Sequence, residues 1–204
     1  EAGRGAHGRS WVSPAGTDLY FSILIRPALP LASAGALTLA VGVGVAEAVD
    51  TLLGRPLARV KWPNDVLLGT RKCAGVLVES RASGPVADSI VVGIGLNVNR
   101  IAFPTELERD ATSLALARSG APLDRAQALA TVLAAVERWY ERFLAHGAAP
   151  VVEAVESRLA LRGERISCGG VAGVLDGISP EGGLRLLTPE GERVLFAGRI
   201  ERAQ

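Results

Sequence analysis

The sequence predicts an α/β (α+β) protein, a helix-covered β-sheet followed by a small all-β domain. Three observations carry this. Nearly continuous apolar runs bounded by Gly, Pro and Asn flank one long apolar helix across residues 19–98. Two more helical patterns follow, from Arg125 to about Ala145 and from Val151 to Leu161. After Gly163 the chain changes to short strand-like runs separated by turn signals at Gly169-Gly170, Ser179–Gly183 and Pro189–Glu192, the spacing of a small barrel. The predicted division is 1–162 and 163–204.

Each element has a local reason. Leu19–Ile25 is aromatic and β-branched, and Pro27 and Pro30 end it. From Ser33 to Leu53, Leu37, Val41, Val45, Ala48 and Leu52 recur at helical spacing, and Gly54 supplies the stop. Gly42 and Gly44 cost that helix about 1 kcal/mol each, a cost that close packing on a sheet would offset. Ala58–Trp62 is a strand ended by Pro63, Asn64-Asp65 turns into Val66–Leu68, and Gly69-Thr70 turns again. Gly75–Glu79 and Ser89–Val98 are apolar enough to be central strands. Asp124 is placed as N-cap of the helix from Arg125, whose buried side is expected to carry Leu129, Val132, Leu133, Val136, Trp139, Tyr140 and Phe143.

Bulk properties narrow the function. With 49% hydrophobic and 21% charged residues the 204-residue chain is globular, and its net charge of +1 gives no electrostatic case for nucleic acid. Cys73 and Cys168 lie in apolar runs and read as reduced thiols. The apolar stretch Leu31–Val49 reads as a core helix, no signal-peptide pattern is visible, and the expected compartment is the cytoplasm. The sequence has no methionine and opens inside a glycine-rich run, so a missing natural start is expected.

The chemistry concentrates in two segments. Gly3-Arg4-Gly5-Ala6-His7-Gly8-Arg9 precedes Ser10-Trp11. Its glycines permit close backbone approach to a ligand, its arginines bring positive charge, and its N–H groups can form an anion nest. A solvated terminus would look the same. Trp11 reads equally as core or as cover for a ring-shaped ligand. The second segment is Lys61-Trp62-Pro63-Asn64-Asp65, with Arg71-Lys72-Cys73-Ala74-Gly75 just beyond. Asp65 can take Mg²⁺ or a polar ligand group, and Asn64 can fix the turn or bond a ligand. Lys72 can sit at a pocket mouth, with Ala74 and Gly75 leaving space beside it; a surface lysine at a hairpin is the plainer alternative. Gly93-Ile94-Gly95-Leu96-Asn97 brings the Asn97 amide to a strand end where it could read a nucleotide. No Cys/His spacing suits zinc, and no nucleophile is paired with a base.

In this order and spacing, with Asp110-Ala111-Thr112-Ser113-Leu114 and the terminal barrel, these motifs resemble the biotin–protein ligase family across essentially the whole chain. The resemblance implies a mixed-sheet domain of class II tRNA-synthetase-like architecture with an SH3-like C-terminal domain. It implies ATP, biotin and Mg²⁺ as substrates and ion, biotinyl-5′-AMP as intermediate, and transfer to a lysine of a biotin carboxyl carrier domain, by a monomer or homodimer. Residue by residue, it implies that Arg4, Gly5, Ala6 and Gly8 belong to a loop folding over biotin and its adenylate, with Trp11 helping to cover the adenylate. Lys72 would bond the biotin carboxyl or the phosphate beside Gly75. Asp65, as metal ligand, and Asn64 would support the phosphate and the entering lysine, and Asn97 would lie by the nucleotide.

Three departures stand out. Ala6 replaces the usual Arg, which should weaken the hold on the adenylate phosphate by about 1–3 kcal/mol. Cys73 replaces the usual Leu, and the family's upstream biotin-binding turn is not in this sequence. The competing readings are an adenylate-responsive repressor, if a DNA-binding domain lies upstream, and a lipoate or octanoate transferase of the same fold.

Overall fold

The computed structural model describes residues 3–5, 8 and 10–202. Strands β1 (Gly3–Arg4) and β2 (Ser10–Trp11) pair as a small antiparallel hairpin. The main sheet has the order β3-β7-β6-β5-β4, formed by β3 (Leu19–Ile25), β4 (Ala58–Lys61), β5 (Asp65–Leu68), β6 (Arg71–Arg81) and β7 (Ser89–Leu96). Its ladders are all antiparallel. The parallel component appears as isolated bridges, Val60 with Leu159 and Lys72 with Ala111.

Helix α1 (Ala34–Leu53) crosses one face of this sheet and, after the short α2 (Leu114–Ala117), is covered in turn by α3 (Arg125–His146) and α4 (Ala149–Arg158). Being packed on both sides explains why it is apolar nearly all round. By length and composition Leu31–Leu53 would suffice to cross a membrane, yet 67% of its most apolar window is buried inside the protein. Gly54 ends α1 in the left-handed conformation, φ 69°. Gly44 has a different reason from the one expected. A Cβ there would lie 2.9 Å from the Val136 Cα, so the glycine admits the backbone of α3, not the sheet; a Cβ at Gly42 would meet open space.

The Asp124 carboxylate accepts the Ala126 and Gln127 N–H groups, at 2.7 and 3.1 Å, and so caps α3. Leu133, expected on the buried side of α3, is 39% exposed; the buried stripe runs through Ala128, Val132, Ala135, Val136, Trp139 and Phe143, and Leu133 lies at its edge. Helix α4 ends three residues earlier than its periodicity suggests. Leu159 leaves the helix to bridge Val60, and the Ala160 N–H donates to the Val60 carbonyl at 2.9 Å, covering the free edge of β4.

The SH3-like C-terminal part is a second antiparallel sheet, order β11-β10-β9-β8-β12, from β8 (Arg165–Cys168), β9 (Val171–Ile178), β10 (Leu184–Thr188), β11 (Gly191–Leu195) and β12 (Ile200–Arg202). Ile166, Leu175, Leu184 and Leu186 fill its core. It is joined to the first part by polar contacts. The Trp62 Nε1 donates to the Gly182 carbonyl at 3.0 Å, and the Ile178 N–H donates to Glu156 Oε1 of α4 at 2.5 Å.

Candidate active site

The site is built on the sheet face away from α1. Asp65, Gly75 and Gly95 occupy one row across β5, β6 and β7, Asp65 opposite Gly75 and Gly75 opposite Gly95. Lys72 is three residues from Gly75, and in a regular strand that odd spacing would turn it to the helix side. A β-bulge prevents this. Val66 pairs with Ala74 and Leu67 with Lys72, so Cys73 is the extra residue. Its side chain is fully buried, with Sγ 3.5 Å from the Val66 carbonyl. The bulge returns Lys72 to the face of Gly75, where it forms an ion pair with Asp65.

Sequence reasoning started this strand at Gly75. It begins at Arg71, because both edges of Lys72 are held: Leu67 pairs with it on one side, and on the other the Lys72 N–H donates to Asp110 O at 2.7 Å while the Thr112 N–H donates to Lys72 O at 2.9 Å.

Trp11 lies on the glycine row. A Cβ on Gly95 would come 2.4 Å from Cε2 of the indole, and one on Gly75 would come 2.9 Å from Lys72 Nζ and 3.3 Å from the Trp11 ring. These glycines are the floor on which Trp11 and Lys72 meet, the ammonium 5.5 Å from the ring centroid. Of the two readings open for Trp11, its place beside the Lys72–Asp65 pair favours the site. Both Lys72 and Asp65 keep solvent access, with side chains 30% and 24% exposed.

Lys61 stands opposite Asp65 across the β4–β5 hairpin. Burial pushes its ammonium below its ordinary value. Asp65 and Asp110 oppose that shift, while Arg199 of the C-terminal part and Lys72 add to it. Cationic groups from both parts of the chain therefore share one electrostatic neighbourhood, which sequence reasoning missed because Arg199 lies far along the chain. Burial also pushes the Cys73 thiol up to about 12, so it stays neutral and is no nucleophile.

Two predicted ligand contacts turn out to be committed within the fold. The Asn64 side-chain amide donates to Val76 O at 2.7 Å, and the Val76 N–H returns a bond to Asn64 O at 2.9 Å, so Asn64 clamps the turn to β6. Asn97 is 4% exposed and its side-chain amide donates to Thr112 O at 2.9 Å, tying down the segment that flanks Lys72. Gly5 and Gly8 are described residues of the connection between β1 and β2; Ala6, His7 and Arg9 lie outside the described residues, as does the Arg4 side chain.

Among the described residues no group of three or more His, Cys, Asp or Glu could hold a metal alone. A single partly exposed carboxylate, Asp65, suits the way Mg²⁺ is held jointly by protein and nucleotide phosphates. A separate cleft of about 350 Å³, lined by Thr51, Arg118, Asp124 and Gln127 among others, contains none of the site residues.

Comparison with known proteins settles the family. The profile of the Biotin/lipoate A/B protein ligase family matches residues 1–97. The biotin–[acetyl-CoA-carboxylase] ligase of Paracoccus denitrificans is 35% identical over 207 residues, covering 98% of this chain and 85% of that protein. This chain belongs to the biotin protein ligase family. Another member of the family, the bifunctional ligase/repressor BirA of Bacillus subtilis, is 35% identical over 98% of this chain, which spans 63% of that relative's length. Among solved structures of the family, the biotin protein ligase of Aquifex aeolicus in complex with biotin and ATP superposes with a TM-score of 0.87 and 33% identity, covering 98% of this chain and 84% of that one.

Proposed function

We propose that the site joins biotin to AMP at the expense of ATP and then passes biotin to a lysine of a biotin carboxyl carrier domain. The observation that carries this reading is the Lys72–Asp65 pair held by the Cys73 bulge over a glycine floor beneath Trp11. Such a site offers a cation and a flat apolar cover, with no activated nucleophile; adenylation of a carboxylate needs that combination. The relatives described above carry names or bound molecules of the same chemistry.

In the first step a biotin carboxylate oxygen attacks the α-phosphorus of ATP and pyrophosphate leaves. Both reactants are anionic, so Lys72 Nζ lowers the barrier by neutralising charge where they meet. Gly75 leaves room for that ammonium, and Trp11 covers the adenylate. Asp65 is the carboxylate that would hold a Mg²⁺ ion, which would supply charge neutralisation to the phosphates. In the second step the carrier lysine amine attacks the mixed-anhydride carbonyl and AMP leaves. The proton that the amine loses would pass to Asp65, whose carboxylate is freed when Lys72 turns to the phosphate. Asn64 and Asn97 act by fixing the backbone around the pair, and Arg4, Gly5, Ala6 and Gly8 by closing over the ligand. Rate enhancement comes from positioning and charge, with no covalent enzyme intermediate.

The test is pyrophosphate release by the purified chain. Release requiring both biotin and ATP, falling about 10²-fold or more in Lys72→Ala, is the expected result. Release that ignores biotin, or an unaffected variant, would overturn the assignment. Replacing biotin by lipoate distinguishes the transferase reading.

A further inference from the structure

Directly behind Trp11 lies a buried ion pair that the reaction above does not use. Asp18 and Arg100 are 3% and 5% exposed. The Arg100 Nε and Nη2 both reach Asp18 Oδ2 at 3.0 Å, and Asp18 Oδ1 accepts the Val98 N–H at 3.0 Å. The unit is fastened on several sides. Arg125 Nε donates to Asp18 O at 3.2 Å, Ser113 Oγ donates to Arg100 O at 2.5 Å, and the guanidinium lies 5.0 Å from the Phe103 ring centre. It thus joins the entry of β3, the exit of β7 and the first turn of α3 into one fixed point.

From that point Arg100 Nη2 also donates to the carbonyl of Val12, the residue after Trp11. On its other side this stretch is held by the short β1–β2 ladder, which pairs Trp11 with Gly3. The Val12 side chain is 47% exposed, and the buried Trp11 Nε1 and Ser13 Oγ have no hydrogen-bond partner among the described residues. A hydrogen bond from a charged donor is roughly twice as strong as a neutral one, so the Arg100 bond adds a strong restraint, anchored in the main sheet, to the pairing of Trp11 with Gly3.

We propose that Arg100, held in place by Asp18, is a positioning residue for Trp11: through the Val12 carbonyl it sets the indole on Gly75 and Gly95 and so fixes its distance from Lys72. The proposal rests on the ligase reading for its consequence, adenylate coverage, but not for its geometry. Guanidinium chemistry is what the task requires. A lysine ammonium at the end of a flexible stem cannot span Asp18 and the Val12 carbonyl in the same fork.

Two variants test it. Arg100→Lys keeps a charge beside Asp18 but loses the fork. Asp18→Asn/Arg100→Met removes both charges together, keeps an acceptor for the Val98 N–H and leaves an apolar stem over Phe103. The first readout needs no substrate. Trp62 and Trp139 are only 3% and 5% exposed, so acrylamide quenching of fluorescence, corrected with Trp11→Phe, reports Trp11. Loss of the bond should shift local opening at Trp11 by about tenfold and raise quenching about twofold or more. The second readout is kinetic: KM for biotin and ATP rises about fivefold or more while kcat changes less than about twofold, because adenylate coverage is lost but Lys72 is not.

Unchanged quenching in either variant with a native melting temperature overturns the proposal. So does a change in Trp11 that appears only with global unfolding in both variants, since the pair would then serve the core and not Trp11. Raised quenching in a protein that releases no pyrophosphate even unaltered would sink the ligase reading and leave the geometric anchor standing.

Discussion

At the scale of single residues, the site depends on what is missing as much as on what is present. Gly95 has room for no side chain, because Trp11 occupies the space. Gly95→Ala should expel the indole while leaving the strand intact. The expected outcome is a red-shifted Trp11 emission and adenylate affinity about tenfold weaker, with little loss of thermal stability; unchanged affinity by calorimetry would remove Trp11 from the ligand site. Lys72 and Asp65 stood out in the sequence by their place between a proline stop and a buried strand, and the fold brings the two together. The roles of Asn64 and Asn97 were less so. Their acceptors, Val76 O and Thr112 O, lie 12 and 15 residues away, and a sequence shows an amide's capacity without showing where it is already engaged. Asp18 and Arg100, 82 residues apart, gave no local signal at all.

At the scale of elements, periodicity did well where a segment meets one environment. Strand Leu19–Ile25 and the α3 start after Asp124 fell where composition and capping put them. It did worse where the partner decides. The bulge at Cys73 exists only in the pairing of β5 with β6, and nothing in Arg71–Gly75 read alone distinguishes it from a plain hairpin. Likewise Leu133 follows helical spacing but faces solvent at the edge of the stripe that α3 turns to the core, where Gly44 of α1 meets the Val136 backbone. That contact makes a prediction. Gly44→Ala would gain about 1 kcal/mol of helix propensity, yet its Cβ would press on the α3 backbone at a cost of about 1–3 kcal/mol. A melting temperature lowered or at best unchanged is expected, whereas the same change at Gly42, which meets open space, should raise it; calorimetry on both separates propensity from packing.

At the scale of the whole molecule, the two sheets are coupled through the active-site turn itself. Trp62, between Lys61 and the Asn64-Asp65 turn, is 3% exposed and has its Nε1 acceptor in the Ser179–Gly183 turn of the C-terminal part. Trp62→Phe preserves most of the packing but leaves the Gly182 carbonyl without its donor, at about 1–3 kcal/mol. The measured result should be a modest fall in melting temperature together with slower pyrophosphate release, since the turn carrying Asp65 is loosened; a fall in stability with unchanged kcat would mean that the barrel only braces the fold. The bond spans 120 residues, and this has a consequence for synthesis. A chain leaving the ribosome exposes Lys61, Asp65 and Lys72 long before Gly182 exists. A nascent or prematurely ended chain therefore carries the charged pair without the brace behind it. The turn that carries Asp65 is braced only once Gly182, 120 residues further along the chain, has folded against Trp62.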